Sequence, residues 1–193
     1  MSKFREHTPK RRNITKLVSR HGDHRADLRK DFLNRCGYCN DIDTWRFTWF
    51  EIDHFVPQEH LKTISNTDYS NLVYSCRSCN NAKRAKWPSK DETIHNDGKI
   101  GFIDPCEDDY NKQFDRLDSG RILPKTDLGE WMYNEMKLYK PQHEIIWNIQ
   151  RIAELINEIE STHDTSENEI QDKLFNIYRK FFAYIKELSN AGF

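Results

Sequence analysis

Hydrophobic spacing changes character three times along the chain. In Ala26–Arg35 the apolar positions Leu28, Phe32 and Leu33 fall at helical intervals, so a short helix is predicted there. Trp45–Ile52 reads TWRFTWFEI with its preceding threonine and is rich in aromatic and β-branched residues. This predicts a strand ending near His54 or Phe55, with Pro57 closing its ladder. Residues 58–70 are polar and turn-forming, and Asn71–Ser75 predicts a second short strand. Arg77 to about Lys86 suits a helix that Pro88 stops. Beyond it, KIGFIDP (99–105) reads as a strand, and FDRLDSGRIL (114–123) as a hairpin turning at Asp118–Gly120. The strongest periodicity follows Pro141: Ile145, Ile146, Ile149, Ile152, Ile156 and Ile159, then Ile170, Leu174, Ile177, Phe181 and Ile185 after a polar break. That pattern predicts an antiparallel helical hairpin over about 142–189. Capping boxes are predicted at Asp127/Glu130 and Ser166/Glu169.

The elements group into a basic arm (1–25), a central unit (26–88) and a mixed, then helical, C-terminal region (89–193). Charge is graded along them: residues 1–30 carry a net +7, residues 31–87 balance, and residues 88–193 carry −8. A basic head suits an anionic partner, and equally suits plain solvation. No apolar run reaches the length of a bilayer span, and the N-terminus lacks the apolar stretch of a secretory signal. The expectation is a cytoplasmic protein with no membrane partner.

Four of the five cysteines form two Cys-x-x-Cys pairs, Cys36/Cys39 and Cys76/Cys79, while Cys106 stands alone. In a reducing compartment two such pairs point to a four-thiolate zinc site rather than disulfides, a redox motif or chance. Such a site is closed and therefore structural. The 36 residues between Cys39 and Cys76 exceed a short zinc ribbon and leave room for an inserted catalytic element. Gly37 is expected to supply permissive backbone to the first knuckle.

The insert contains Asp53 and His54 side by side, and Asn80 directly follows Cys79. An aspartate and an asparagine are hard oxygen ligands, suited to magnesium or manganese. Histidine titrates near neutrality and suits a general base for water attack on phosphorus. Asn71 has a side chain able to bond loop backbone on both its faces. Lys83, one turn beyond Asn80, is expected to touch a phosphate, with Arg84, Arg77 and Lys86 as further backbone contacts or solvated charges. Glu51 either joins the outer shell of the metal or forms a salt bridge; His60 and Cys106 have no assigned role.

Taken together, CGYC, EIDHFVP and NLVYSCRSCNNAK over about residues 36–86 resemble the HNH endonuclease family in its four-cysteine zinc-bearing form. The resemblance implies an α+β fold: a ββα-metal core stapled by a four-cysteine zinc site, here with a largely α-helical C-terminal extension. It implies that Asp53 and Asn80 ligate a catalytic magnesium or manganese ion, that His54 is the base, and that Asn71 is structural. It further implies cleavage of DNA, double-stranded, to 5′-phosphate and 3′-hydroxyl ends. The flanks GFIDPCEDDY, SGRILPKT and LYKP are similar to HNH nucleases of bacterial anti-phage systems, including Septu-type systems, which work beside an ATPase subunit. Three other readings remain open: a non-catalytic zinc nucleic-acid-binding module, an RNA-cutting effector of the same fold, and an interaction subunit whose helical tail docks a larger partner.

Overall fold

A computed structural model describes residues 2–46, 49–162 and 168–190. The chain opens on a two-residue strand, β1 (Ser2–Lys3). Helix α1 spans Arg25–Asp31, shorter than the predicted 26–35. Leu33 and Asn34 adopt left-handed backbone (φ 56° and 60°) and end it, which leaves Leu33 exposed while Leu28 and Phe32 enter the core.

Strands β2 (Phe50–His54) and β3 (Leu72–Cys76) pair antiparallel, from Phe50 opposite Cys76 to His54 opposite Leu72. The predicted start of β2 at Trp45 is corrected to Phe50, because Asp43–Trp45 winds into a 3₁₀ turn; residues 47 and 48 of that prediction lie outside the described residues. Helix α2 (Arg77–Lys83) begins on Cys76, whose sulfur accepts from the Cys79 N–H at 3.5 Å. It ends at Arg84, again left-handed (φ 47°), rather than at Lys86.

The remaining strands form a second sheet. Strand β1 pairs with β4 (Phe114–Arg116), which pairs in turn with β5 (Ile122–Pro124), all antiparallel. The hairpin turn is where the sequence placed it, with Gly120 at φ 93°. Residues 99–105 form no strand. Asp97 Oδ1 accepts from the Lys99 and Ile100 N–H groups, closing a turn, and the pairing beyond it is one antiparallel bridge between Asn96 and Gly101. Helix α3 (Asp108–Lys112) leads into β4. Helix α4 (Asp127–Glu135) is capped one residue earlier than predicted, by Thr126, whose Oγ1 accepts from the Gly129 N–H at 2.9 Å.

Helices α5 (Pro141–Thr162) and α6 (Asn168–Asn190) run antiparallel, as Leu188 packs with Ile145, Ile146 and Ile149 at one end and Tyr178 Oη reaches Glu160 at the other. The cap predicted at Ser166 lies outside the described residues. No helix among the described residues is long and apolar enough to cross a membrane.

One apolar core runs from Phe4 through Phe32, Tyr74 and Phe102 to Leu138. A smaller one joins the helical hairpin to Ile42 and Trp45, just after the first cysteine pair. The basic arm is woven into this body: Phe4 is buried, Arg11 bonds Leu72 O and Asp104, and Arg12 bonds Asp31 and Asp27. Those arginines are consumed by the fold and do not form a free arm.

Candidate active site

The four sulfurs of Cys36, Cys39, Cys76 and Cys79 are buried and lie within 4.8 Å of one another. The Cys39–Cys76 separation is 3.7 Å, matching the edge of a tetrahedron with zinc–sulfur bonds of about 2.3 Å. Burial opposes ionisation of Cys36, yet hydrogen bonds from the other three thiols carry it well below the usual thiol range, while burial pushes Cys39 well above it. Four thiolates need a cation to coexist there, and soft sulfur donors in a closed tetrahedron suit zinc.

The first knuckle is held from outside the cysteines. Gly37 O accepts from Arg5 Nη1 at 3.1 Å, Tyr38 O from Tyr110 Oη at 2.8 Å, and Cys39 O from Arg116 Nη2 at 2.8 Å. These three donors come from the N-terminal arm, α3 and β4. Gly37 is required for space and not for its backbone angles: a Cβ there would lie 2.6 Å from Phe32 Cε1 and 2.9 Å from Val73 Cγ1. The left-handed residue of the knuckle is Asn40, at φ 65°.

The knuckle also reaches the end of β2. Tyr38 Oη donates to Asp53 Oδ2 at 2.6 Å. Lys83 Nζ lies 3.2 Å from the same oxygen and donates to His54 O at 2.7 Å. Lys83, expected at a phosphate, is wholly buried, and its ammonium is spent on the β2 end. Burial pushes the Asp53 carboxyl above the usual carboxylate range and lowers Lys83, each opposed by the partner's charge. Arg84 is exposed at the end of α2.

Asn80 does not bond Asp53. Its Nδ2 donates to Glu51 Oε2 at 2.7 Å, and Glu51 Oε1 accepts from Arg77 Nε at 2.7 Å. Glu51 therefore forms a salt bridge and orients Asn80 at once. Glu51 and Asp53 share a strand face, and Asn80 and Lys83 stand one helical turn apart, so α2 meets β2 through two parallel pairs. Each proposed ligand thus has one polar atom anchored, while among the described residues Asp53 Oδ1 and Asn80 Oδ1 have no hydrogen-bond partner. Both are hard oxygen donors of the kind that suit magnesium or manganese, each on a side chain whose other polar atom is anchored.

Asn71 clamps the start of the loop on both faces. Its Oδ1 accepts from the Val56 N–H at 2.8 Å, its Nδ2 donates to Val56 O at 2.9 Å, and its own carbonyl accepts from the Phe55 N–H at 2.8 Å. The far side of that loop presents Asn66 O, 2.6 Å from His54 Nε2. A carbonyl only accepts, so Nε2 donates to it, and in the neutral ring the lone pair is then on Nδ1. The Gln58 amide nitrogen lies 3.3 Å from Nε2 and 3.4 Å from Nδ1, and the His21 ring meets His54 edge-on with centroids 4.6 Å apart. His60 pairs with Glu59, and Cys106 is a half-buried thiol beside Asp104.

Sequence reasoning missed Tyr38, His21, Gln58 and Asn66. Tyr38 had a visible signal, an aromatic inside CGYC. His21 had none, being 33 positions upstream in an irregular stretch.

Searches of the curated proteins and of the solved structures give no match. Residues 36–86, from the first knuckle cysteine to just past α2, match the family model of the HNH endonucleases, and a nuclease is the class of enzyme that this match supports.

Proposed function

We propose that the chain is a metal-dependent endonuclease that hydrolyses phosphodiester bonds of double-stranded DNA. The observation that carries this reading is the chain of bonds from Asn71 through Val56 and the loop to Asn66 and His54. That chain orients one imidazole, on the residue directly after Asp53, through its bond to Asn66 O. A non-catalytic zinc module has no use for it.

His54 Nδ1 takes the proton from a water as that water attacks phosphorus. The 3′-oxygen leaves and takes a proton from solvent water, giving 5′-phosphate and 3′-hydroxyl ends. Asp53 Oδ1 and Asn80 Oδ1 would hold the divalent ion. Tyr38 and Lys83 keep Asp53 from turning, and Glu51 with Arg77 does the same for Asn80. A bound magnesium or manganese ion supplies Lewis-acid stabilisation of the charge developing on the phosphate and leaving oxygens. The zinc supplies no chemistry and acts through position alone. DNA as substrate, a cytoplasmic role in anti-phage defence and an ATPase partner rest on the sequence resemblance and are proposed on that ground.

The test is supercoiled plasmid incubated with zinc-loaded protein stripped of loosely bound cations. Nicked or linear product is expected only after magnesium or manganese is added, with ends that a ligase reseals. Cutting that needs no added cation, or none under any condition, overturns the reading.

A further inference from the structure

A cleft of about 180 Å³ lies between α2 and the turn joining α4 to α5. Arg46, Arg77, Arg84, Lys137 and Lys140 line it, with Trp49. Among its described lining residues the one carboxylate is Asp41, which is buried and bonded to His143 Nδ1 at 2.6 Å. Five cations therefore line one concavity of a chain whose formal charge is −1; Arg77 among them is paired with Glu51, and Lys137 and Lys140 come from the strongly acidic C-terminal region.

The walls are built to stay apart at a fixed width. Lys86 Nζ bonds Glu135 O at 3.0 Å and Glu135 Oε2 at 2.7 Å, tying the segment after α2 to the end of α4. Lys137 is exposed between the buried Met136 and Leu138, on left-handed backbone (φ 54°) that a side chain rarely adopts. Lys140 Nζ crosses to Ser78 Oγ at 3.4 Å. Arg46 stands 4.0 Å from the centroid of the Trp49 ring, a contact that holds its guanidinium in place. Gln142 also lines the cleft; it is only 3 % exposed, and its Oε1 has no partner.

The cleft abuts the candidate active site. Arg77 lines it and bonds Glu51, which bonds Asn80, and Asn80 lies about 60° around α2 from Arg77. We propose that this cleft grips the sugar–phosphate backbone of the DNA next to the scissile phosphate, so that the α4–α5 turn is part of the substrate site. The proposal rests on the nuclease reading and deepens it.

The test is binding of a fluorescent 20-base-pair duplex to zinc-loaded protein without magnesium, followed across a salt series. Lys137→Gln/Lys140→Gln is expected to bind about tenfold more weakly, with a log–log salt slope shallower by about 1.8 for two lost phosphate contacts. Lys137→Gln alone should lose about half of that slope change. The charge-matched control Lys180→Gln/Lys186→Gln, on the exposed surface of α6, should keep the wild-type slope. Zinc content and melting temperature should be unchanged in all three. A wild type that cuts plasmid while the cleft variant keeps the wild-type affinity and slope overturns the cleft alone. Equal losses in cleft and control variants also overturn it, since net charge then explains the effect. A wild type that neither binds nor cuts overturns the nuclease reading and the cleft together.

Discussion

The buried pair between Lys83 and Asp53 separates a structural lysine from a phosphate contact, and its removal has a calculable signature. Lys83 Nζ stands 3.2 Å from Asp53 Oδ2, and the two side chains are 0 % and 8 % exposed. At an effective dielectric near 20 their attraction is about 5 kcal/mol. Most of that offsets the desolvation of two charges, so the pair's net contribution is small, but loss of one partner leaves the other charge buried and uncompensated. Lys83→Met is therefore expected to destabilise by ~3–5 kcal/mol, since it also strips the donor from His54 O, and Asp53→Asn by ~3 kcal/mol. The double variant should cost ~3 kcal/mol, well short of the sum, giving a coupling of at least ~3 kcal/mol. Urea unfolding at saturating zinc measures all four proteins. Additive costs within ~0.5 kcal/mol, or a Lys83→Met protein of wild-type stability that merely binds DNA less well, would refute the placement of Lys83.

Three further outcomes follow from the same geometry. Asn71→Asp removes the donor to Val56 O and sets two acceptors face to face, so a loss of ~2–4 kcal/mol in stability is expected, with cleavage falling further than zinc content; urea titration and metal analysis check it. Gly37→Ala forces a methyl into Phe32 and Val73 and should cost ~1–3 kcal/mol by the same unfolding measurement, even though alanine suits the backbone angles there. Burial pushes the Cys106 thiol up to about 12, so iodoacetamide at pH 8 should label none of the five cysteines in zinc-loaded protein; mass spectrometry should find the four knuckle cysteines alkylated once a chelator removes the metal.

The cysteine knuckles, the hairpin between them and the helical tail were legible because each has a local signature: paired cysteines, β-rich runs, and isoleucines at three- and four-residue intervals. Element ends were less so. Leu33, Asn34 and Arg84 take left-handed backbone that their residue types do not advertise, and they shortened two helices. The strand expected at 99–105 shrinks to a single antiparallel bridge, Gly101 with Asn96, beside a turn that Asp97 closes. Within the site, Asn71 was readable from chemistry alone, since an amide offers both a donor and an acceptor to one peptide unit. Lys83, expected at a phosphate because a lysine one turn past Asn80 reads as solvent-facing, is buried instead. Only the packing of α2 on β2 shows that its face is buried. His21, Arg5, Tyr110 and Arg116 reach the knuckle or the histidine from 32 to 77 positions away, and such contacts exist only in the folded chain. They also make the flanks of the matched segment part of the scaffold that holds it.

The most direct test of the central claim is the single-turnover rate of cutting an end-labelled duplex by the wild type and by His54→Ala, at equal zinc content and saturating magnesium. The expected result is a rate at least ~10²-fold lower for His54→Ala with duplex affinity retained, because only the proton acceptor has gone. A His54→Ala protein that cuts at the wild-type rate would contradict the assignment of the imidazole, and with it the nuclease centre described above.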